Sequence, residues 1–168
     1  MSKIIKLIPA VLSENIDEYK RLADIYTKFS DFIHIDVMDG SYVDTKSPDI
    51  KDILERLIDN KIKKNIHLMV EYPLSFLPEI FMFENVDVVY IHANTISRDE
   101  CNLILEKFSV SICRFALVFN VDDDLSVYRD FLKKVDVIQL MAVEPGRQSN
   151  EFNLAALENI ARLRVFGY

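Results

Sequence analysis

Six times along this chain a short apolar run is followed by a stretch of helical period, and that alternation constrains the fold more than any other feature. The runs are Ile4–Pro9, Phe32–Met38, Asn65–Val70, Val86–His92, Ile112–Phe119 and Val135–Met141. Each is rich in Ile, Val and Phe and apolar on both faces, which is how parallel strands covered on both sides read. Between them lie helix signals. Ser13 is a candidate cap for a helix whose Ile16, Tyr19, Leu22, Ala23 and Tyr26 share one face. Ser47-Pro48 reads as a cap with proline at the first helical position, leading into Ile53, Leu54, Leu57 and Ile58. Ser97 with Glu100 forms a capping box ahead of Leu103, Ile104 and Phe108. Asp122–Asp124 place acidic charge at another helix start, and the last helix carries Leu154, Leu157, Ile160, Ala161 and Leu163.

Alternating βα units imply a parallel sheet, either doubly wound or closed into a barrel. With 168 residues, the chain falls short of the roughly 250 usual for a complete (β/α)₈ barrel, and length alone favours an open sheet. No linker or low-complexity segment interrupts the repeat, so residues 1–168 are expected to form a single domain.

Half the residues are hydrophobic and the formal charge is −7. An acidic excess without a Lys/Arg cluster argues against nucleic-acid or anionic-membrane partners. The apolar stretch before Ser13 is too short to span a membrane. Cys101 and Cys113 lack metal-type spacing and read as reduced core residues. The expected location is the cytoplasm.

Polar residues interrupt the apolar runs in one phase. In Phe32–Met38, period two sets Ile33, Ile35 and Val37 on one face and His34, Asp36 and Met38 on the other. A buried imidazole and carboxylate must satisfy each other, a metal or a substrate. The next run repeats the pattern, with His67 and Met69 opposite Ile66 and Leu68. Two histidines and an aspartate on adjacent strands make a candidate divalent-metal site. His92, Asn120 and Met141 end the later runs, followed by a Glu144-Pro145-Gly146 turn. Active sites of α/β proteins lie at such C-terminal strand ends. No P-loop, GxGxxG or Ser-His-Asp order is present.

HIDVMDG (His34–Gly40), IHLMV (Ile66–Val70), the IHA that starts at Ile91, LMAVEPG (Leu140–Gly146) and IPAVLS (Ile8–Ser13) resemble the ribulose-phosphate 3-epimerase family in order and spacing. The resemblance implies a TIM-barrel-type α/β fold, here six βα units of an incomplete (β/α)₈ barrel. It implies inversion at carbon 3 of a ketose phosphate, ribulose 5-phosphate to xylulose 5-phosphate, in the pentose phosphate pathway. His34, Asp36 and His67 match metal ligands, for zinc or iron first and manganese or cobalt as alternatives. Asp36 also matches a catalytic acid/base. Met38, Met69, Met141 and Gly146 match substrate-binding positions. A homo-oligomer is the expected assembly.

This chain also departs from the pattern. The family's second aspartate, on a seventh strand, and the Gly-rich phosphate loops beyond it have no counterpart here. The first-strand serine is Ala10, the family's VPN reads Val43-Asp44-Thr45, and its NPGFGGQ turn reads Glu144–Asn150 with both later glycines lost. Two other readings therefore stand beside the pentose epimerase: an epimerase of allulose 6-phosphate, and a scaffold relative with impaired catalysis. On its own, the chain is expected to be a poor epimerase.

Overall fold

The alternation is realised as six parallel strands lying side by side in chain order. The computed structural model describes residues 5–59, 61–147 and 149–168. Its strands are β1 (Ala10–Val11), β2 (Phe32–Met38), β3 (Lys63–Met69), β4 (Val86–His92), β5 (Arg114–Phe119) and β6 (Val137–Leu140). Between and after them come α1 (Ile16–Tyr26), α2 (Ile50–Arg56), α3 (Leu77–Ile80), α4 (Arg98–Ser109), α5 (Arg129–Leu132) and α6 (Ala155–Val165). The sheet order is β1-β2-β3-β4-β5-β6, every neighbour parallel. A doubly wound sheet reverses its order at a switch point; this one never does. The fold is α/β, consistent with an incomplete TIM barrel, and the sheet is not closed.

Two apolar layers follow from the period of the strands. Ile33, Ile35, Ile66, Leu68, Val89, Ile91, Phe115 and Leu117 meet Tyr19, Ala23, Ile53, Leu54, Ile104 and Phe108 of the helices in the main core. Val88, Tyr90, Ala116 and Val118 form a smaller cluster on the opposite face, packed against Val137 and Met141. Cys101 and Cys113 are buried and free, as their spacing implied.

Several boundaries differ from the sequence expectation. Of the run Ile4–Pro9, Ile4 lies outside the described residues and residues 5–9 are not strand; β1 begins at Ala10. Pro9 accepts from the His34 N–H at 2.8 Å, but Pro has no N–H to continue a ladder. Ile5 and Leu7 stay exposed. Asn15, not Ser13, caps α1 by accepting from the Asp17 N–H at 3.0 Å, and Ser13 Oγ accepts from the Asn15 N–H. Asp49, not Ser47, caps α2. The Ser47 hydroxyl is occupied by β2, accepting from the Met38 N–H at 3.1 Å. The capping box of Ser97 and Glu100 forms as read, and Asp124 caps the short turn Leu125–Tyr128. Of the apolar residues named for the last helix, Leu163 is buried, beside Ala156 and Asn159, whereas Leu154, Leu157, Ile160 and Ala161 are exposed. The Asn159 amide donates to the Val121 carbonyl at 2.9 Å.

Candidate functional site

The site is built on the longest unbroken register in the sheet. All seven residues of β2 pair with β3, and the ladder sets Asp36 beside His67 and Met38 beside Met69. With period two, His34, Asp36 and His67 share the face turned away from the main core. His34 Nε2 lies 3.6 Å from Asp36 Oδ1, and His67 Nδ1 lies 3.0 Å from the same oxygen. One ligand atom from each of the three falls within 4.8 Å of the others. The convergence expected from the sequence is present.

Burial sets the charge states. It pushes the Asp36 carboxyl up to about 6, with His34 opposing the rise. Burial also lowers His34 to about 4, helped by repulsion from His67, and lowers His67 to about 3. At neutral pH the group is therefore two uncharged imidazoles around a desolvated carboxylate. That donor set suits a divalent cation, which requires lone pairs from neutral histidine and a nearby negative charge. The residues fit a metal.

A hydrogen-bonded chain runs outward from His67. His67 Nε2 faces His92 Nε2 at 2.9 Å, with the ring planes 19° apart. His92 Nδ1 lies 3.0 Å from the Tyr42 hydroxyl, which is 3.2 Å from Asn94 Oδ1 and accepts from Asn120 Nδ2 at 2.8 Å. Burial, then repulsion from His67, holds His92 far below its ordinary range. Tyr42 is held in reach by Asp39, whose Oδ1 accepts from the Ser41 and Tyr42 N–H groups at 2.8 and 3.0 Å. Asp39 Oδ2 accepts from the Glu71 N–H at 2.8 Å and ties this loop to the end of β3. Burial would raise the Asp39 carboxyl, but those backbone donors outweigh it and hold it low.

The remaining expected residues are more dispersed. Met38 and Met69 are buried beside each other, one pleat beyond Asp36 and His67. Met141 packs on the inner cluster of β4 and β5, with Gln139 Nε2 at 3.3 Å from its sulfur. Gly146 lies in the loop after β6 at φ +87°, where an added Cβ would stand 2.6 Å from Val43 Cβ. Its carbonyl accepts from Thr45 Oγ1 at 3.0 Å, so the loops after β2 and β6 are joined. Sequence reasoning noticed His92 and Asn120 as polar strand ends but missed their link to His67. It missed Tyr42 and Asn94 altogether. The available signal for Tyr42 was a hydroxyl-bearing ring two residues beyond the Asp39-Gly40 pair.

An incomplete barrel-type sheet with a His–Asp–His group on its inner face defines an α/β protein with a candidate metal centre. More specifically, the chain belongs to the ribulose-phosphate 3-epimerase family, whose model matches residues 6–166. It is 27% identical over 159 residues to the chloroplastic ribulose-5-phosphate-3-epimerase of Arabidopsis thaliana, covering 93% of this chain and 56% of that protein. It is 31% identical over 137 residues to the ribulose-phosphate 3-epimerase of Chlamydia pneumoniae, covering 80% of this chain and 58% of the relative. The same name belongs to a Buchnera aphidicola protein, 31% identical over 164 residues, 94% of this chain and 70% of the relative. The chain thus spans little more than half the length of the first two. Among the described residues no helix is long and apolar enough to cross a membrane.

Proposed function

We propose that this chain is an epimerase-type isomerase acting at carbon 3 of a ketose phosphate, ribulose 5-phosphate to xylulose 5-phosphate, with a divalent ion at His34, Asp36 and His67. The observation that carries the reading is the convergence of those three side chains on the inner face. Zinc or iron is the ion best suited to two imidazoles and a carboxylate. Bound there, the ion supplies positive charge against the negative charge that develops when a proton leaves the carbon beside a carbonyl.

The chain's own residues divide the remaining work. Asp36 removes the carbon-3 proton, and its raised pKa brings it closer to that of an effective base near neutral pH. His34 and His67, kept uncharged by burial, present lone pairs rather than competing positive charge. Met38 and Met69 give an apolar wall that limits water near the reacting carbon. Gly146 keeps the loop after β6 against Val43, in the loop after β2 to which it is joined. Among the described residues Asp36 is the carboxylate grouped with the histidines. They therefore account for proton removal and return on one face, whereas inversion also requires a donor on the other. The open edges of β1 and β6 favour self-association, so a homo-oligomer is part of the proposal.

The test is to incubate the metal-loaded protein with ribulose 5-phosphate in D₂O and follow both carbon-3 exchange and xylulose 5-phosphate formation. Exchange should outpace inversion, and Asp36→Asn should reduce it by about 10²–10⁴-fold, the usual contribution of a positioned base. Exchange no faster than in buffer, or unaffected by Asp36→Asn, would overturn the reading.

A further inference from the structure

We infer that His92, Tyr42 and Asn94 form a reversible hydrogen-bond relay locked to the tautomer of His67, and that loading the metal centre reverses its direction. The inference rests on the metal reading proposed above. It starts from the way His67 is wedged: Nδ1 meets Asp36 Oδ1 at 3.0 Å, and Nε2 meets His92 Nε2 at 2.9 Å. Both ring nitrogens are engaged, so only Nδ1 faces the His34–Asp36 side. Two facing imidazole nitrogens make one hydrogen bond only if one carries hydrogen and the other a lone pair. The tautomers of His67 and His92 are thereby locked together.

Without an ion, the ionised Asp36 carboxylate only accepts, so His67 carries hydrogen on Nδ1. His67 Nε2 is then an acceptor, His92 must carry hydrogen on Nε2, and His92 Nδ1 accepts from the Tyr42 hydroxyl at 3.0 Å. With an ion on His67 Nδ1, the ring's single hydrogen must sit on Nε2 and point at His92. His92 then carries its hydrogen on Nδ1 and donates to the Tyr42 oxygen. The Tyr42 hydroxyl then donates to Asn94 Oδ1, a further acceptor 3.2 Å away. A second acceptor beside Tyr42 is what allows the reversal to finish without an orphaned donor. Asn120 Nδ2 donates to the Tyr42 oxygen in either state.

The hydrogens balance. One proton leaves His67 Nδ1 for solvent, the inter-ring hydrogen passes from His92 to His67, and the Tyr42 hydrogen passes to His92. Tyr42 regains one proton at the exposed Asn94 end, so each group ends with the number it began with. Tyr42 and His92 are thus positioning residues, acting on the substrate site only through His67. Outer partners of this kind typically change metal affinity by about 10–100-fold when removed.

The experiment uses the wild-type chain, labelled with ¹⁵N at histidine, and reads ring tautomers by long-range ¹H–¹⁵N correlation before and after addition of Zn²⁺. The expected result is His67 Nδ1–H with His92 Nε2–H in the apo protein, and both inverted with zinc. Tyr42→Phe, checked for an unchanged backbone spectrum, should weaken zinc binding by about tenfold, the lower end of the range for such partners. Zinc that perturbs His34 and His67 while His92 keeps its apo tautomer would overturn the relay and leave the metal reading standing. Zinc that moves none of the three rings would overturn the metal reading, and the relay with it. Unchanged affinity in Tyr42→Phe would also contradict the relay.

Discussion

The middle of the sheet and its rim are built differently. Strands β2 to β5 pair over five to seven residues each and are covered on both faces, whereas β1 pairs with β2 through two residues and β6 with β5 through four. Apolar side chains in the middle are buried almost without exception; at the rim, Ile5, Leu7, Leu154, Leu157 and Ile160 are exposed. His34, Asp36, His67, His92 and Asn120 all belong to the middle. The side chains of the candidate metal centre sit where backbone ladders fix them most firmly, and the joined loops after β2 and β6 lie beyond the strand ends.

That contrast predicts a hierarchy of mutational effects. Phe115 is buried in β5 and packs against Phe108 with ring centroids 5.4 Å apart. Phe115→Ala should cost about 3–5 kcal/mol, the usual loss for truncating a core aromatic, read from chemical denaturation. A loss below about 1 kcal/mol would show that the middle of the sheet is no better packed than the rim.

A smaller effect comes from Lys64, buried in β3 with its ammonium donating to the Ile62 carbonyl at 3.1 Å. Burial lowers its pKa from 10.5 to about 8. Between those values the unfolded chain holds a proton that the folded chain has lost, so wild-type stability should rise with pH across that window. Below about pH 8 both states are charged and the penalty is complete. Lys64→Met should therefore stabilise the fold by about 2 kcal/mol at pH 7, with the advantage shrinking as the pH rises above 8. Denaturation midpoints of both proteins from pH 7 to 10 check the sign. A constant difference would mean that burial does not perturb this lysine.

The smallest effect belongs to the rim. Leu157→Ser on the exposed face of α6 should change stability by no more than about 0.5 kcal/mol. A loss of several times that amount in the purified protein would mean that something covers this face in solution.

Legibility in the sequence follows the same division. The runs Phe32–Met38 and Val86–His92 coincide with β2 and β4 because strands buried on both faces leave an unbroken apolar signal. His34, Asp36 and His67 were legible because charge in such a run has few explanations. The rim was misread where local pattern and tertiary contact disagree. Ile5 and Leu7, before Ala10, have the composition of a strand but stay exposed, and α6 buries Asn159 while leaving Leu157 and Ile160 exposed. The relay was invisible because Tyr42 and His92 are 50 positions apart, and no periodicity connects a loop tyrosine to a strand end.

Isothermal titration of the apo protein with Zn²⁺ tests the central claim most directly. The account predicts one ion per chain, with binding lost or greatly weakened in Asp36→Asn and in His67→Ala while both variants keep the wild-type fold. No saturable uptake, or binding that both substitutions leave unchanged, would contradict it.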